Sequence, residues 1–232
     1  MIGFDRQGGY AERIVVPARN AFPIPDVVDT EVAAVMMCST ATVLHALHKA
    51  RLAPGETVAV FGVGGLGASA VRLAPLLGSA VVYAVDLNPA KLDVAASHGA
   101  VPVPGGEDAV ERLLELSGGG VDVALELVGS ASLMRDAVAT LRSRGRAVAV
   151  GITDNEFGLD PFRDLILREA EIIGAADHLA SEIELLLDLA GRGALDLADV
   201  VTNRVPLEVA AVDGALDRLE QFGDDVRTVI AT

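Results

Sequence analysis

Between Thr57 and Asp86 the chain reads as a buried strand, a glycine turn, a helix and a second strand that ends on an acid, and few folds accept that order. The strand is TVAVF, and the turn is Gly62-Val63-Gly64-Gly65-Leu66-Gly67. The helix ASAVRLAPLLG follows, then the strand SAVVYAVD. A bare G-x-G-x-x-G pattern is weak, but here it joins a β run to a helix and Asp86 lies 24 residues beyond Gly62, the context of a dinucleotide-binding fingerprint. Gly62 permits the tight turn, Gly64 lets backbone approach a pyrophosphate without an intervening Cβ, and Gly67 lets the helix pack closely on the strand. An anion would rest on the free N–H groups at the helix start near Gly65, where Leu66 also belongs to the turn. Asp86 suits the two hydroxyls of an adenosine ribose and repels a 2′-phosphate, which predicts NAD over NADP.

From there strands and helices alternate. Strands are expected at Ala80–Asp86, Val101–Val103, Val121–Leu127 and Arg146–Val150, with helices from Pro89, over Asp108–Leu116 and over Ser130–Arg142. This alternation predicts an α/β fold, a doubly wound parallel sheet with helices on both faces in strand order 3-2-1-4-5-6. Phe162–Arg168 is expected to be helical and Ala170–Gly174 to be a sixth strand at the sheet edge. Its Ile172 and Ile173 make it a candidate for pairing with a second subunit as a homodimer. Ser181–Gly191 and Leu207–Gln221 read as helices, and Val200–Val205 and Val226–Ile230 as strands.

Ahead of the fingerprint, Tyr10–Val16 reads as a short strand and Pro17–Asp26 as an extended connector. Asp29-Thr30 caps a helix, a second helical run covers about Thr40–Arg51, and Cys38 falls between them. His45 and His48 share a helical face, but packing is favoured over metal binding because no second cluster accompanies them; His98 and His178 read as isolated. Asp122 and Glu126 point to one side of a strand and read as structural carboxylates. Pro75 is expected to end its helix early without disturbing the glycine turn.

The net charge of -15 and a complement of only two lysines, Lys49 and Lys91, exclude a nucleic-acid partner. Hydrophobic residues make up 51% of the chain yet form no uninterrupted run of the ~18 residues a membrane span needs. The first residues lack the apolar stretch of a secretory signal, and a single cysteine excludes an intrachain disulfide, so a cytoplasmic location is expected.

The order and spacing of several blocks resemble the medium-chain dehydrogenase/reductase family, on its zinc-dependent alcohol dehydrogenase branch. These blocks are GGYAERIVVPARNAFPIPD, AAVMMCSTATVLHALHKARLAPGETVAVFGVGGLGASAVRLA, DLNPAKLDVAASHGA, GGGVDVALELVGS, LRSRGRAVAVGI and VPLEVAAVDGALDRLEQFGDDVRTVIAT. The resemblance implies three regions. Residues 1–36 would be the end of a GroES-like catalytic domain and a connecting helix, 37–174 a Rossmann NAD-binding domain, and 175–232 a C-terminal return that completes the catalytic domain. A remnant of a GroES-like β domain would thus be built from both chain ends.

Carried over by position, the resemblance implies that Cys38 is a ligand of a catalytic zinc and that Thr42 touches the nicotinamide. Gly62, Gly64, Gly65, Leu66 and Gly67 would hold the pyrophosphate with Arg227, and Asp86 and Lys91 the adenosine ribose. Val128, Gly129 and Val150 would line the nicotinamide side. The reaction implied is hydride transfer between a primary or secondary alcohol, or an aldehyde or ketone, and NAD. The resemblance also implies that most of the catalytic domain, with the other zinc ligands, lies outside this sequence, so the zinc site is expected to be incomplete. Apolar surface is then expected to be exposed on Tyr10–Val16 and Val200–Val205. Two readings stay open: part of an NAD-dependent alcohol dehydrogenase, or a nucleotide-binding module that oxidises nothing. A zinc-free relative of the quinone-reductase type is a third, and Cys38 argues against it.

Overall fold

The computed structural model describes residues 7–220 and 225–231. Asp29 starts the first helix by accepting from the N–H groups of Glu31 (2.8 Å) and Val32 (3.4 Å), which satisfies donors with no partner in the first turn. The helix then continues through Cys38 where two helices with a break were expected: α1 (Thr30–Val35) passes through a π turn at Met36–Thr40 into α2 (Ala41–Lys49). The wide turn leaves Cys38 exposed while Met36, Ser39 and Thr40 are buried. By length and hydropathy Thr30–Lys49 passes as a membrane span, but Val43, Leu44, Ala46 and Leu47 are fully buried in the protein core, which makes it a core helix.

Six parallel strands follow: β1 (Thr57–Phe61), β2 (Val81–Asp86), β3 (Val101–Pro104), β4 (Val121–Glu126), β5 (Leu141–Ala149) and β6 (Glu171–Gly174). They are interleaved with α3 (Gly65–Leu76), α4 (Pro89–Ser97), α5 (Ala109–Ser117) and α6 (Ala131–Ala139). The sheet order is β3-β2-β1-β4-β5-β6, as expected, with β6 at the edge. Strand alternation sends Val58 and Val60 to the face covered by α2, α3, α4 and α7 (Ala180–Gly191), and Ala59 and Phe61 to the face covered by α5 and α6. Burial on both faces accounts for the unbroken apolar run Val58–Phe61 of β1. Pro75 sits in the last turn of α3, which stops one residue later, and the glycine turn at its other end is intact.

Three expectations are corrected. The helix expected to reach Arg142 ends at Ala139, and β5 starts at Leu141. Pairing of Leu141 with Val121 and of Arg146 with Val123 forces a bulge, which Arg144 absorbs at φ 65°. Tyr10–Val16 forms bends and irregular backbone, because no strand among the described residues lies beside it, and Val15 is 97% exposed. Val201 and Val205, expected at an exposed surface, are buried: β7 (Val201–Pro206) pairs in parallel with β8 (Arg227–Ala231) through α8 (Val209–Glu220), and α1 packs against both strands. Gln221, expected to close α8, lies outside the described residues.

His98, expected to be isolated, lies with Nε2 2.8 Å from Asp199 Oδ2, whereas His45 and His48 pack against a neighbouring helix, in line with the packing expected of them. Both His45 and His48 direct Nδ1 at Glu182 Oε1, at 3.1 and 2.9 Å, and Glu182 Oε2 accepts the Leu179 N–H at the start of α7 (2.7 Å). Burial pushes the Glu182 pKa up, but these donors outweigh it and hold the carboxyl below its ordinary 4.5. A lowered folded pKa contributes stability above the unfolded value and loses it as pH falls through the folded one. Melting temperatures followed downwards from about pH 6 are therefore expected to fall more steeply for the parent chain than for Glu182→Gln. Parallel curves would refute this coupling of α2 to α7.

Candidate functional site

The glycine turn lies at the carboxyl ends of the central strands, where open parallel sheets bind ligands. Gly62 has φ 91°, the left-handed region that a side chain disfavours, and a Cβ there would also overlap Val128 Cγ2. At Gly67 a Cβ would come closer than 3.0 Å to the Gly62 carbonyl, so this contact keeps α3 against β1. Gly64 differs, since a Cβ there would meet nothing within 4 Å and would project into open space. The three glycines thus serve a turn, a close packing contact and an open approach, in that order.

Arg227, from the far end of the chain, completes the turn. Its guanidinium lies over Gly65, where a Cβ would overlap Nε, Cζ and Nη2. Nε is buried and has no hydrogen-bond partner among the described residues. Burial pushes the guanidinium pKa down, and the nearby Cys38 sulfur works the other way. A buried donor with no acceptor, beside the N-terminus of a helix, is a place where an anion is stabilised. Leu66 occupies the first turn of that helix.

Asp86, at the end of β2, points back to the turn. Its Oδ2 accepts the Val63 N–H at 2.7 Å and its Oδ1 the Asn88 N–H at 2.9 Å. Each carboxylate oxygen retains capacity for another donor. Asn88 caps α4 through the Ala90 N–H (2.9 Å), and Lys91 sits half-buried in that first turn. On the other side of the crevice Val128, 49% exposed, follows β4 and packs on Gly62. Gly129 (φ 87°) lies against Ile152 and Gly151, next to the half-buried Val150.

The π turn approaches from a third direction. Thr40 Oγ1 and Ser69 Oγ are 3.0 Å apart, both buried, and join the turn carrying Cys38 to α3. Thr42 is half-buried one step farther along. Contacts thus join Gly62, Gly65, Gly67, Val128 and Arg227 around the turn, with Asp86 bound to Val63 within it, while Lys91 lies on α4 and Thr42 on α2. Sequence reasoning missed the Thr40–Ser69 link, which joins residues 29 positions apart. It also missed the grip of Glu126 on the turn after β4: Oε1 accepts the N–H groups of Val128, Gly129 and Ser130 at 3.0, 2.9 and 3.2 Å. The available signal was an acid ending a strand just before a Gly-Ser turn.

A cavity of about 400 Å³ lies elsewhere, between α6 and residues 156–164, lined by Arg135, Asp136, Glu156 and Phe157 among others. It does not contain the glycine turn. Among the described residues no three His, Cys, Asp or Glu side chains converge to hold a metal ion, and Cys38 stands alone.

Comparison with known proteins agrees with this fold. An alcohol dehydrogenase of Geobacillus stearothermophilus is 35% identical over 193 residues, 82% of this chain and 56% of that protein. The (R,R)-butanediol dehydrogenase of Bacillus subtilis is 29% identical over 89% of this chain and 60% of its own length. The solved alcohol dehydrogenase TADH from Thermus sp. ATN1 superposes with a TM-score of 0.89 at 28% identity, over 98% of this chain and 66% of that one. The chain therefore spans just over half the length of the curated relatives it matches. The family described as zinc-binding dehydrogenase matches residues 65–192, more than half of the sequence and including the second half of the glycine turn and all of α3 to α7, and the chain belongs to that family.

Proposed function

We propose that this chain supplies the NAD-binding half of an alcohol oxidoreductase, which moves a hydride between a primary or secondary alcohol, or its aldehyde or ketone, and NAD. The observation that carries the reading is the buried Nε of Arg227 over Gly65, without a partner among the described residues, beside the open face of Gly64. In this reading the pyrophosphate rests on the N–H groups that open α3 and on Arg227, whose planar fork suits an anion. Asp86, with Lys91, takes the adenosine ribose. Thr42, Val128, Gly129 and Val150 flank the nicotinamide ring, orienting it and excluding water from its face. NAD, when bound, supplies the hydride chemistry.

The described residues do not fit a complete zinc site. A catalytic zinc takes three protein ligands and an open position, and this chain offers Cys38 alone among them. Cys38 serves as one ligand only where the others come from outside the described residues. The same observation favours a second reading, a module that binds NAD and oxidises nothing.

Titration of the purified chain with NADH, followed by fluorescence, tests the reading, and elemental analysis of the same sample separates its two forms. Binding with zinc well below one per chain is expected. No binding would refute the reading, and stoichiometric zinc would overturn the statement that Cys38 stands alone. Asp86→Ala is expected to weaken NADH by about tenfold, the loss of a charge-assisted hydrogen bond, and to narrow the preference over NADPH. An unchanged preference would refute the role given to Asp86.

A further inference from the structure

We infer that Glu126 is the positioning residue of the nicotinamide half of the cleft, an inference that rests on the NAD-binding reading above. Glu126 is 2% exposed at the last position of β4. Its side chain and its backbone carbonyl reach different segments. The side-chain Oε1 takes three successive N–H groups, those of Val128, Gly129 and Ser130. These belong to the turn that enters α6, where backbone donors have no helical acceptor. The backbone carbonyl takes the N–H groups of Val150 (3.1 Å) and Gly151 (3.0 Å), at the end of β5. One residue thus holds both segments assigned to the nicotinamide side.

The contacts between these segments leave little slack. A Cβ on Gly151 would overlap the Gly129 nitrogen, and one on Gly129 would overlap the Ile152 carbonyl. Val128 in turn covers Gly62. Release of the Val128–Ser130 turn from Oε1 moves the wall on which the nicotinamide would lie. The Asp86 end of the crevice is untouched, because Asp86 is anchored separately through Val63 and Asn88. Asp122, four residues earlier on the same strand, provides a control. It is equally buried, but it accepts from the Thr57 N–H (2.8 Å) and Thr57 Oγ1 (2.9 Å) and pairs with Arg142 at the opposite end of the sheet.

The test compares two probes, NADH and ADP-ribose, which share the adenosine and pyrophosphate but differ in the nicotinamide. Calorimetric titration of Glu126→Gln and Glu126→Ala is expected to show NADH weakened by about tenfold or more, since charge-assisted bonds to three donors are weakened or lost. ADP-ribose affinity is expected to stay within about twofold, because its contacts are retained. Asp122→Asn is expected to lower the melting temperature with the ratio of the two affinities unchanged. Equal weakening of both probes, or of neither, would overturn the inference while leaving the NAD-binding reading intact. Failure of the parent chain to bind either probe would remove the reading itself, and the inference with it. Glutamine keeps one acceptor oxygen and the side-chain shape, so a Glu126→Gln chain that does not fold would make Glu126 a core residue and overturn the inference as well.

Discussion

Gly67→Ala is expected to reduce NADH binding by at least about a hundredfold, or ~2.7 kcal/mol, and to lower the melting temperature as well. The added methyl would sit well within van der Waals contact distance of the Gly62 carbonyl oxygen and carbon, and against Val60 Cγ1. These are mainly backbone atoms of the turn, so no side-chain rotation relieves the overlap. Gly62 already sits at φ 91° and cannot rotate freely to make room. The start of α3 must therefore move off β1, at an overpacking cost of roughly 1–3 kcal/mol, and its N–H groups move with it. Gly64→Ala provides the contrast. Its methyl meets nothing within 4 Å, so stability is expected to hold while NADH binding falls, because the methyl projects into the space assigned to the pyrophosphate. Thermal melts and NADH titrations of both variants measure the two effects separately. A Gly67→Ala chain that binds like the parent would refute the account of the turn, and a Gly64→Ala chain that does so would move the pyrophosphate away from Gly64.

The difference between these glycines was legible in the sequence because its cause is local. Strand, turn and helix are adjacent, and the spacing to Asp86 fixes which end of β2 faces the turn. Thr57–Phe61 and the helix start at Gly65 were read at their observed positions for that reason. Asn88-Pro89 likewise carries its own start signal, a capping side chain and a proline at the first helical position. The start of β5 was not legible. Leu141-Arg142-Ser143-Arg144 is compatible with helix, and only pairing with Val121, with a bulge at Arg144, makes it strand. Tyr10–Val16 errs in the opposite direction, since a pattern suited to a strand forms none without a partner. The ties from α2 to Glu182 span 134 and 137 positions and leave no periodic trace. Arg227 was assigned to the turn only through the resemblance, since nothing in the local sequence brings residue 227 to Gly65.

What brings Arg227 there has its own anchor, and Asp199→Ala is expected to release it at a cost of about 2 kcal/mol. Arg72, on α3, has a side chain only 6% exposed. It donates from Nη1 to the Ala68 carbonyl (2.7 Å) and from Nη2 to both Asp199 oxygens (2.7 and 2.6 Å), and His98 Nε2 lies 2.8 Å from Asp199 Oδ2. Removing one member of a buried pair costs roughly 3–5 kcal/mol because a charge is left without its partner. Asp199 is 48% exposed, so water replaces part of what it supplied and the cost falls below that range, to about 2 kcal/mol. Arg72→Met removes the buried charge instead and is expected to cost less, and the double variant Arg72→Met/Asp199→Ala is expected to recover stability relative to Asp199→Ala alone. The pH dependence has one sign. Burial pushes the Asp199 pKa up, but His98 and Arg72 outweigh it and hold the carboxyl below 3.8. Its contribution is therefore complete above about pH 4 and disappears as pH falls through the folded value, so the gap in melting temperature between the parent and Asp199→Ala should narrow in acid. Asp199 lies in the short turn Ala198–Val200 that leads into β7, β7 pairs with β8, and β8 begins at Arg227. Loosening the anchor therefore also weakens NADH binding, by freeing the guanidinium from Gly65. Equal costs for Asp199→Ala and Arg72→Met would refute the buried-charge account, and unchanged NADH affinity in a destabilised Asp199→Ala chain would separate the anchor from the cofactor site.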